Sequence, residues 1–230
     1  CSDDAIGTDM AVSFLHAATE NHDRKMQGKT VVIGGGNVAV DCARTAVRFG
    51  SEEVGMYCLE SRDTMPASKK EIEETLADGI TVNNGWGPKE ILKNEDGTVK
   101  AVVFKKCLSV IDPATKRFSP KYDENDTITV EASNVIFAIG QTVVWDELLK
   151  GSKVQFHHGI YPVADALTYQ TAEPDIFVGG DVYSGPKFAI DAIEAGKNAA
   201  VSLHRFVQPG TSMTIGRNRR DFIELDKDNI

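Results

Sequence analysis

The stretch TVVIGGGNVAVDCARTAVRFG, residues 30–50, decides the fold. Its first four residues are all β-branched, the composition of a short strand buried on both faces. Three glycines follow, and then an apolar-periodic helix closed by Gly50. Gly34, Gly36 and Ala39 fit G-x-G-x-x-A between that strand and that helix, the context in which the pattern has a mechanism. Gly34 permits the tight turn, Gly36 removes a Cβ from the path of an approaching pyrophosphate, and Ala39 lets helix and strand pack closely. The helix start at Asn37 and Val38 offers unpaired N–H groups to phosphates. A glycine-rich turn with no ligand is the alternative.

VGMYCLE at 54–60 reads as a second strand, and it ends at Glu60, Ser61 and Arg62. In a dinucleotide site an acid here accepts from the adenosine ribose of NAD, whereas arginine accommodates the 2′-phosphate of NADP. Glu60 lies 24 positions after Gly36 and would repel a 2′-phosphate, which favours NADH over NADPH. Arg62 pulls the other way, and a solvated pair of strand-end charges is the bland reading.

Outward from this unit, ASKKEIEETLADG between Pro66 and Gly79 is helical and TVNN enters a third strand. Strand, helix, strand, helix, strand is the alternation of a parallel sheet. Upstream, residues 9–21 place Ala11, Phe14, Leu15 and Ala18 on one helical face, with Asp9 as N-cap. Downstream, Asp96-Gly97 between two alternating apolar runs signals a hairpin and hence a small antiparallel insertion. Residues 112–126 read as an exposed loop, and TITVEASNVIFAIG supplies two more strands ending at Gly140. VWDELLKG reads as a short helix, 153–170 as loop and short strand, PDIFVGGD as strand then turn, and 186–207 as a long helix. The expected fold is thus α/β: a Rossmann-like three-layer nucleotide-binding domain carrying an antiparallel insertion.

The 230 residues are 41% hydrophobic and 26% charged, enough for a sizeable core, which excludes disordered and collagen-like chains. No apolar run approaches the roughly 20 residues that span a bilayer, and CSDDAIGTDM lacks the layout of a signal peptide. A net charge of −9 disfavours nucleic acid or an anionic membrane as partner. Cys1, Cys42, Cys58 and Cys107 stand far apart without C-x-x-C, so no zinc or dithiol motif is present and a cytoplasmic setting with reduced thiols is expected.

A second constellation comprises Thr171, Pro174, Ile176, Phe177, Gly179, Gly180 and Asp181, followed by the helix near Pro186. T-x-x-P-x-I-F-x-G-G-D, then G-P-x-x-x-x-D-A-I-x-x-G-x-x-A-A, resembles the C-terminal flavin motif of the pyridine-nucleotide-disulfide oxidoreductase superfamily. With VVIGGGNVAVDCARTAVRFG, R-D-x-M-P-A at 62–67 and VIFAIG at 135–140, the chain is most similar to the small (beta) subunit of glutamate synthase and its relatives, from about residue 10 to about 207. The resemblance implies an NAD(P)H-binding domain inserted into an FAD-binding domain, with electrons passing onward through iron–sulfur clusters or a partner subunit. Asp181 would hydrogen-bond the ribitol of FAD, and backbone N–H groups of Lys187, Phe188 and Ala189 would face the pyrimidine edge, where reduced flavin gathers negative charge. Hydride transfer needs stacking and distance, so no side-chain acid or base is named as catalytic.

The chain departs from that family in carrying one G-x-G-x-x-A, no cluster-binding cysteines and no C-x-x-C. It therefore reads as a C-terminal portion of a longer enzyme lacking an N-terminal FAD and iron–sulfur half. Residues 1–24 would be the connection, 25–140 the NAD(P)-binding domain, 141–208 the C-terminal part of an incomplete FAD-binding domain, and 209–230 a polar tail. Such a piece would be inactive alone and would not retain FAD tightly. Two other classes stay open, a thioredoxin-reductase-like disulfide reductase and a non-catalytic NAD-binding module. The first lacks its dithiol, and the second has no use for Asp181 and its helix.

Several residues admit two readings. His157-His158 resembles a metal pair, but adjacent strand residues point apart, so a surface loop is expected. His16 and His204 fall on helices as packing or surface residues. Asp41 and Arg44 would bridge to the flavin half or form a structural ion pair. Trp86 is either a ligand contact at the carboxyl end of the sheet or core, and Met65-Pro66 would shape the adenosine side. Arg217, Arg219 and Arg220 mark either a partner contact or a solvated tail.

Overall fold

The computed structural model describes residues 5–217, so the expectations for Arg219, Arg220 and the rest of the tail beyond residue 217 lie outside the described residues. The chain divides into two compact units, Cys1–Gly140 and Gln141–Ile230.

The first unit is built on a five-stranded, all-parallel sheet. Its strands are β1 (Thr8–Met10), β2 (Lys29–Ile33), β3 (Glu53–Cys58), β4 (Thr81–Asn84) and β8 (Asn134–Phe137), in the order β1-β8-β2-β3-β4. Helices α1 (Ala11–Glu20), α2 (Asn37–Arg48) and α3 (Lys69–Ala77) supply one covering layer. The antiparallel sheet β5 (Trp86–Lys93), β6 (Val99–Ile111) and β7 (Phe118–Glu131) supplies the other. Strand β2 shows why three layers form: Val32 joins the helix-side core, while Val31 and Ile33 join the core on the antiparallel side. With both faces covered, the run Val31–Ile33 is apolar throughout.

Small residues set the helix–sheet spacing. Ala39, Cys42, Ala43 and Ala46 form the fully buried face of α2, which Gly50 ends in the left-handed region at φ 86°. On the other side Tyr57 stacks on Phe104 with ring centroids 4.4 Å apart, joining β3 to β6. The Asp96–Gly97 turn forms as expected, Asp96 Oδ1 accepting from Thr98 N–H at 2.9 Å and Gly97 taking φ 82°.

The structure corrects four local expectations. Asp9 does not cap α1; it lies in β1, paired with β8, its carboxylate 3.2 Å from Arg24, and the cap position falls to Met10. A three-residue edge strand has too little periodicity to be read from sequence. Residues 118–126, expected in a loop, belong to β7, because partnership with β6 overrides the strand-poor composition of SPKYDEND. VWDELLKG is a series of turns from Asp146 to Gly151, with Asp146 at φ 42°. PDIFVGGD contributes an isolated antiparallel bridge, Phe177 to Gln170, in place of the expected strand.

The second unit contains the short hairpin β9 (Phe156–His157) and β10 (Tyr161–Pro162), the turn of helix α4 (Asp181–Ser184) and the long helix α5 (Ala189–Phe206). Trp145 Nε1 donates to Ile160 O at 2.7 Å and ties the hairpin to the turns before it. Asp165 Oδ1 accepts from Thr168 N–H at 2.8 Å, Thr168 Oγ1 and Leu167 N–H, which holds its carboxyl below the usual range. No helix among the described residues is long and apolar enough to cross a membrane.

Candidate functional site

The carboxyl ends of β2, β3, β4 and β8 lie at one edge of the parallel sheet. Strand β2 is where the order reverses: the chain goes to β3 on one side and returns as β8 on the other. Ligands of doubly wound folds bind in the crevice at such a point. The loop there is Gly34–Gly36, whose three glycines have three different reasons to be glycine. Gly34 takes φ 143°, its N–H donates to Tyr57 O at 2.8 Å, and a Cβ would stand 2.3 Å from Ala138 O. Gly35 is pressed against β3, where a Cβ would meet Cys58 and the Glu60 carboxylate, each at 3.0 Å. Gly36 is the N-cap of α2, and a Cβ on it would meet nothing within 4 Å. Packing demands the first two glycines; the third keeps a space in front of the helix clear.

That space has donors facing it. The α2 cap makes no side-chain hydrogen bond; the Ala39 N–H bonds Gly36 O at 3.0 Å, and the amides of Asn37 and Val38 at the helix start are the ones placed to meet an anion. Val38, 46% exposed, sits on that turn, while Ala39 is fully buried against the sheet. Asn37 Oδ1 accepts from Ser68 N–H at 2.9 Å, and Ala67 N–H donates to Gly35 O at 3.0 Å. Residues 65–68, with Met65 and Ala67 buried, thus brace the glycine turn from behind.

Glu60 holds its carboxylate beside the glycine turn while Asn84 fixes its backbone, Asn84 Nδ2 donating to Glu60 O at 3.0 Å and to Cys58 Sγ at 3.3 Å. Ser61 and Thr64 close a capping box around the short 3₁₀ turn Arg62–Thr64. Arg62 stands exposed on that turn, with no salt bridge among the described residues. Burial pushes the Cys58 thiol up to about 11, so it is a packing group and not a nucleophile at neutral pH. Arg44 resolves in favour of the structural reading, bonding Glu74 of α3 at 2.6 Å and Asp78, the residue that caps α3, at 2.7 Å. Trp86 starts β5, half-buried, with the Lys106 ammonium 4.6 Å from its ring centroid.

Beyond Glu60 opens a groove of about 750 Å³. One wall is the segment from Leu59 to Pro66, and the other is β6 past Lys106 together with Phe118. Sequence reasoning missed this second wall: it expected a strand through residues 99–111 and a loop only from 112, so Phe118 fell in the loop, and no motif marks how far β6 runs past the sheet.

Of the residues singled out from sequence, Gly34, Gly36, Asn37, Val38, Glu60, Ser61, Arg62 and Gly140 therefore occupy the carboxyl edge of the parallel sheet, Gly140 just beyond β8 at φ 103°. Gly180, Asp181, Lys187, Phe188 and Ala189 stand together in the second unit. Gly180, at φ 70°, precedes α4, and a Cβ on Gly179 would crowd Ala195 of α5 at 3.2 Å. Asp181 Oδ1 accepts the Lys187 N–H at 3.4 Å, and the Phe188 N–H donates to Asp191 Oδ2 at 3.1 Å. Two of the three amides expected to face a flavin are thus engaged within the chain. His157 lies in β9 and His158 in the turn after it at φ 52°, both exposed. Among the described residues no group of three His, Cys, Asp or Glu side chains is placed to hold a metal ion.

The sheet order, the switch point and the glycine turn define a doubly wound dinucleotide-binding fold. Comparison with known proteins sharpens this class: residues 6–196 match the family described as pyridine nucleotide-disulphide oxidoreductase, and the chain belongs to that family. It is 30% identical over 223 residues to the glutamate synthase [NADPH] small chain of Escherichia coli, covering 90% of this chain and 47% of that one. It is 32% identical over 203 residues to the NADP(+)-dependent formate dehydrogenase subunit beta of Moorella thermoacetica, covering 87% and 28%. It is 29% identical over 209 residues to an NAD-dependent dihydropyrimidine dehydrogenase subunit PreT homolog of Salmonella typhi, covering 90% and 44%. The chain thus spans less than half the length of these relatives. The fold is shared with T. acidophilum thioredoxin reductase, at a TM-score of 0.65 and 22% identity over 86% of this chain and 57% of that one.

Proposed function

We propose that this chain is the NAD(P)H-binding domain, with the C-terminal part of an FAD-binding domain, of a flavin-dependent oxidoreductase of the glutamate synthase small-subunit type. With both cofactors bound, NAD(P)H would be the hydride donor and FAD the acceptor, and electrons would leave through iron–sulfur clusters or a partner subunit outside this chain. The observation that carries the reading is the clear space in front of Gly36, at the switch point of the sheet and beside Glu60. A pyrophosphate fits there because no Cβ intrudes and the start of α2 presents N–H donors.

Each residue then has a defined task. Gly34 and Gly35 let the chain turn tightly against β8 and β3, and Asn37 with Ser68 keeps the turn and the start of α3 in register. Glu60 accepts from the adenosine ribose and disfavours a 2′-phosphate, so NADH is preferred; Arg62 is the residue that opposes this preference. In the second unit Asp181 would accept from the ribitol, and the N–H of Ala189 would face the pyrimidine edge. The amides of Lys187 and Phe188 would join it on exchanging their present partners. A cytoplasmic setting accompanies this reading, in keeping with Cys42, Cys58 and Cys107 being buried and unpaired.

The experiment is calorimetric titration of the full chain with NADH and NADPH, after recording its visible spectrum. The expected result is tighter binding of NADH to a colourless protein. Tighter binding of NADPH would transfer cofactor choice from Glu60 to Arg62. Absence of binding by either would remove the dinucleotide site, and stoichiometric flavin colour would show that the second unit suffices to hold FAD.

A further inference from the structure

We propose that the hairpin joining β6 to β7 forms the outer wall of an adenine subsite, with Leu108 and Phe118 packing against the base. The proposal rests on the dinucleotide reading of the glycine turn and adds a contact that lies outside the glycine motif.

The register places the hairpin. Trp86, two residues past the carboxyl end of β4, pairs with Lys106 of β6, at the start of β5. Everything in β6 beyond Lys106 therefore runs past the carboxyl edge of the parallel sheet. Cys107 N–H bonds Gly85 O at 2.8 Å, and Ile111 pairs with Phe118 near the hairpin tip. The projection faces the segment Leu59–Pro66 across the groove.

The composition of this wall is what calls for a ligand. Leu108 is 66% exposed, Ile111 47% and Phe118 65%, yet all three line one groove together with Glu60 and Lys106. Large apolar side chains gathered at a polar-rimmed groove mark a binding site more often than a bare surface. A dinucleotide held by its pyrophosphate at Gly36 and by its ribose at Glu60 must send its base onward from the glycine turn. Glu60, Ser61 and Arg62 line this same groove, so it adjoins the ribose position. A purine offers a broad apolar face, which leucine and phenylalanine cover well, and its edge nitrogens remain open to water at the mouth.

The test compares the full chain with the double variant Leu108→Ser/Phe118→Ser, both positions being exposed so that the fold tolerates the change. ADP-ribose and nicotinamide mononucleotide are titrated separately by calorimetry. Affinity for ADP-ribose should fall about 10-fold, the size expected for partial burial of two apolar side chains, while that for nicotinamide mononucleotide stays the same. The conservative pair Leu108→Met/Phe118→Trp should retain wild-type affinity for ADP-ribose. Unchanged ADP-ribose binding in the serine variant would overturn the proposal and leave the dinucleotide site intact. Equal loss in the serine and conservative variants would also overturn it, since the hairpin's shape and not its contact with the base would then matter. If the unaltered chain binds neither ADP-ribose nor NADH, the dinucleotide reading itself fails.

Discussion

The two units of this chain use their apolar residues in opposite ways. In the first unit a parallel sheet is covered on both sides, and both large clusters of buried apolar side chains among the described residues lie there, one against the helices and one against the antiparallel sheet. In the second, α5 buries Ala195 and Ser202, while Phe188, Ile190, Ile193 and Val207 face outward and a few small groups such as Val154 and Val178 make up the interior. Because apolar burial is the main favourable term in folding, the first unit carries its stability within itself, and the second gains little from its own helix.

Paired truncations break or confirm that contrast most directly. Phe104→Ala removes a fully buried ring stacked on Tyr57 and should cost about 3–5 kcal/mol in urea denaturation. Phe188→Ala, at a side chain 70% exposed, should change stability by no more than about 0.5 kcal/mol. Equal effects would erase the distinction. Next in size is Gly34→Ala, which forces a Cβ to within 2.3 Å of Ala138 O. It should destabilise the first unit by about 2–3 kcal/mol and abolish NADH binding, seen by thermal melting and calorimetry.

Alkaline pH separates the units in another way. Burial raises the Cys58 thiol from its ordinary 9.0 to about 11 and the Cys42 thiol to about 12, and both belong to the first unit. The folded state holds these protons more tightly than the unfolded chain does. Their contribution is therefore complete below pH 9.0 and is lost as pH rises towards about 11 for Cys58 and about 12 for Cys42, which chemical denaturation at stepped pH should reveal. Cys58→Ala should flatten that decline. A smaller loss, still above that of Phe188→Ala, belongs to Arg44→Ala, which releases Glu74 and Asp78. With Arg44 about one-fifth exposed and its partners more so, the loss should be about 1 kcal/mol, reduced by salt.

How much was legible in advance follows the same division. The β2–α2–β3–α3–β4 run could be read because each element has its own period and its own stop, such as Gly50 or Gly79, and the Asp96–Gly97 hairpin because the turn has a chemical signature. The short edge strand β1 and the projecting half of β7 could not, since both exist only through their partners β8 and β6. The glycine turn and Glu60 were visible as a motif. The Leu108 and Phe118 wall was not, because its position depends on how far β6 outruns β4, a distance set in three dimensions. VWDELLKG had the composition of a helix, but eight residues are too few to hold one without a packing partner.

Strand β8 sits in the interior of the sheet although it is the last of the five to be synthesised. Thr8 pairs with Val135 and Thr30 with Asn134, so β1 and β2 can be brought into one sheet only after Phe137 has left the ribosome. Until then the open flank of β2 is an unpaired edge bearing Val31, Val32 and Ile33. The order of assembly is thereby written into the topology: the β2–β3–β4 half can settle early, and the seam closes last, across a loop of over one hundred residues. Pulse-labelled hydrogen exchange during refolding should find amides of β3 protected before those of β1. Conditions that stall the chain before β8 emerges should favour association through that exposed flank.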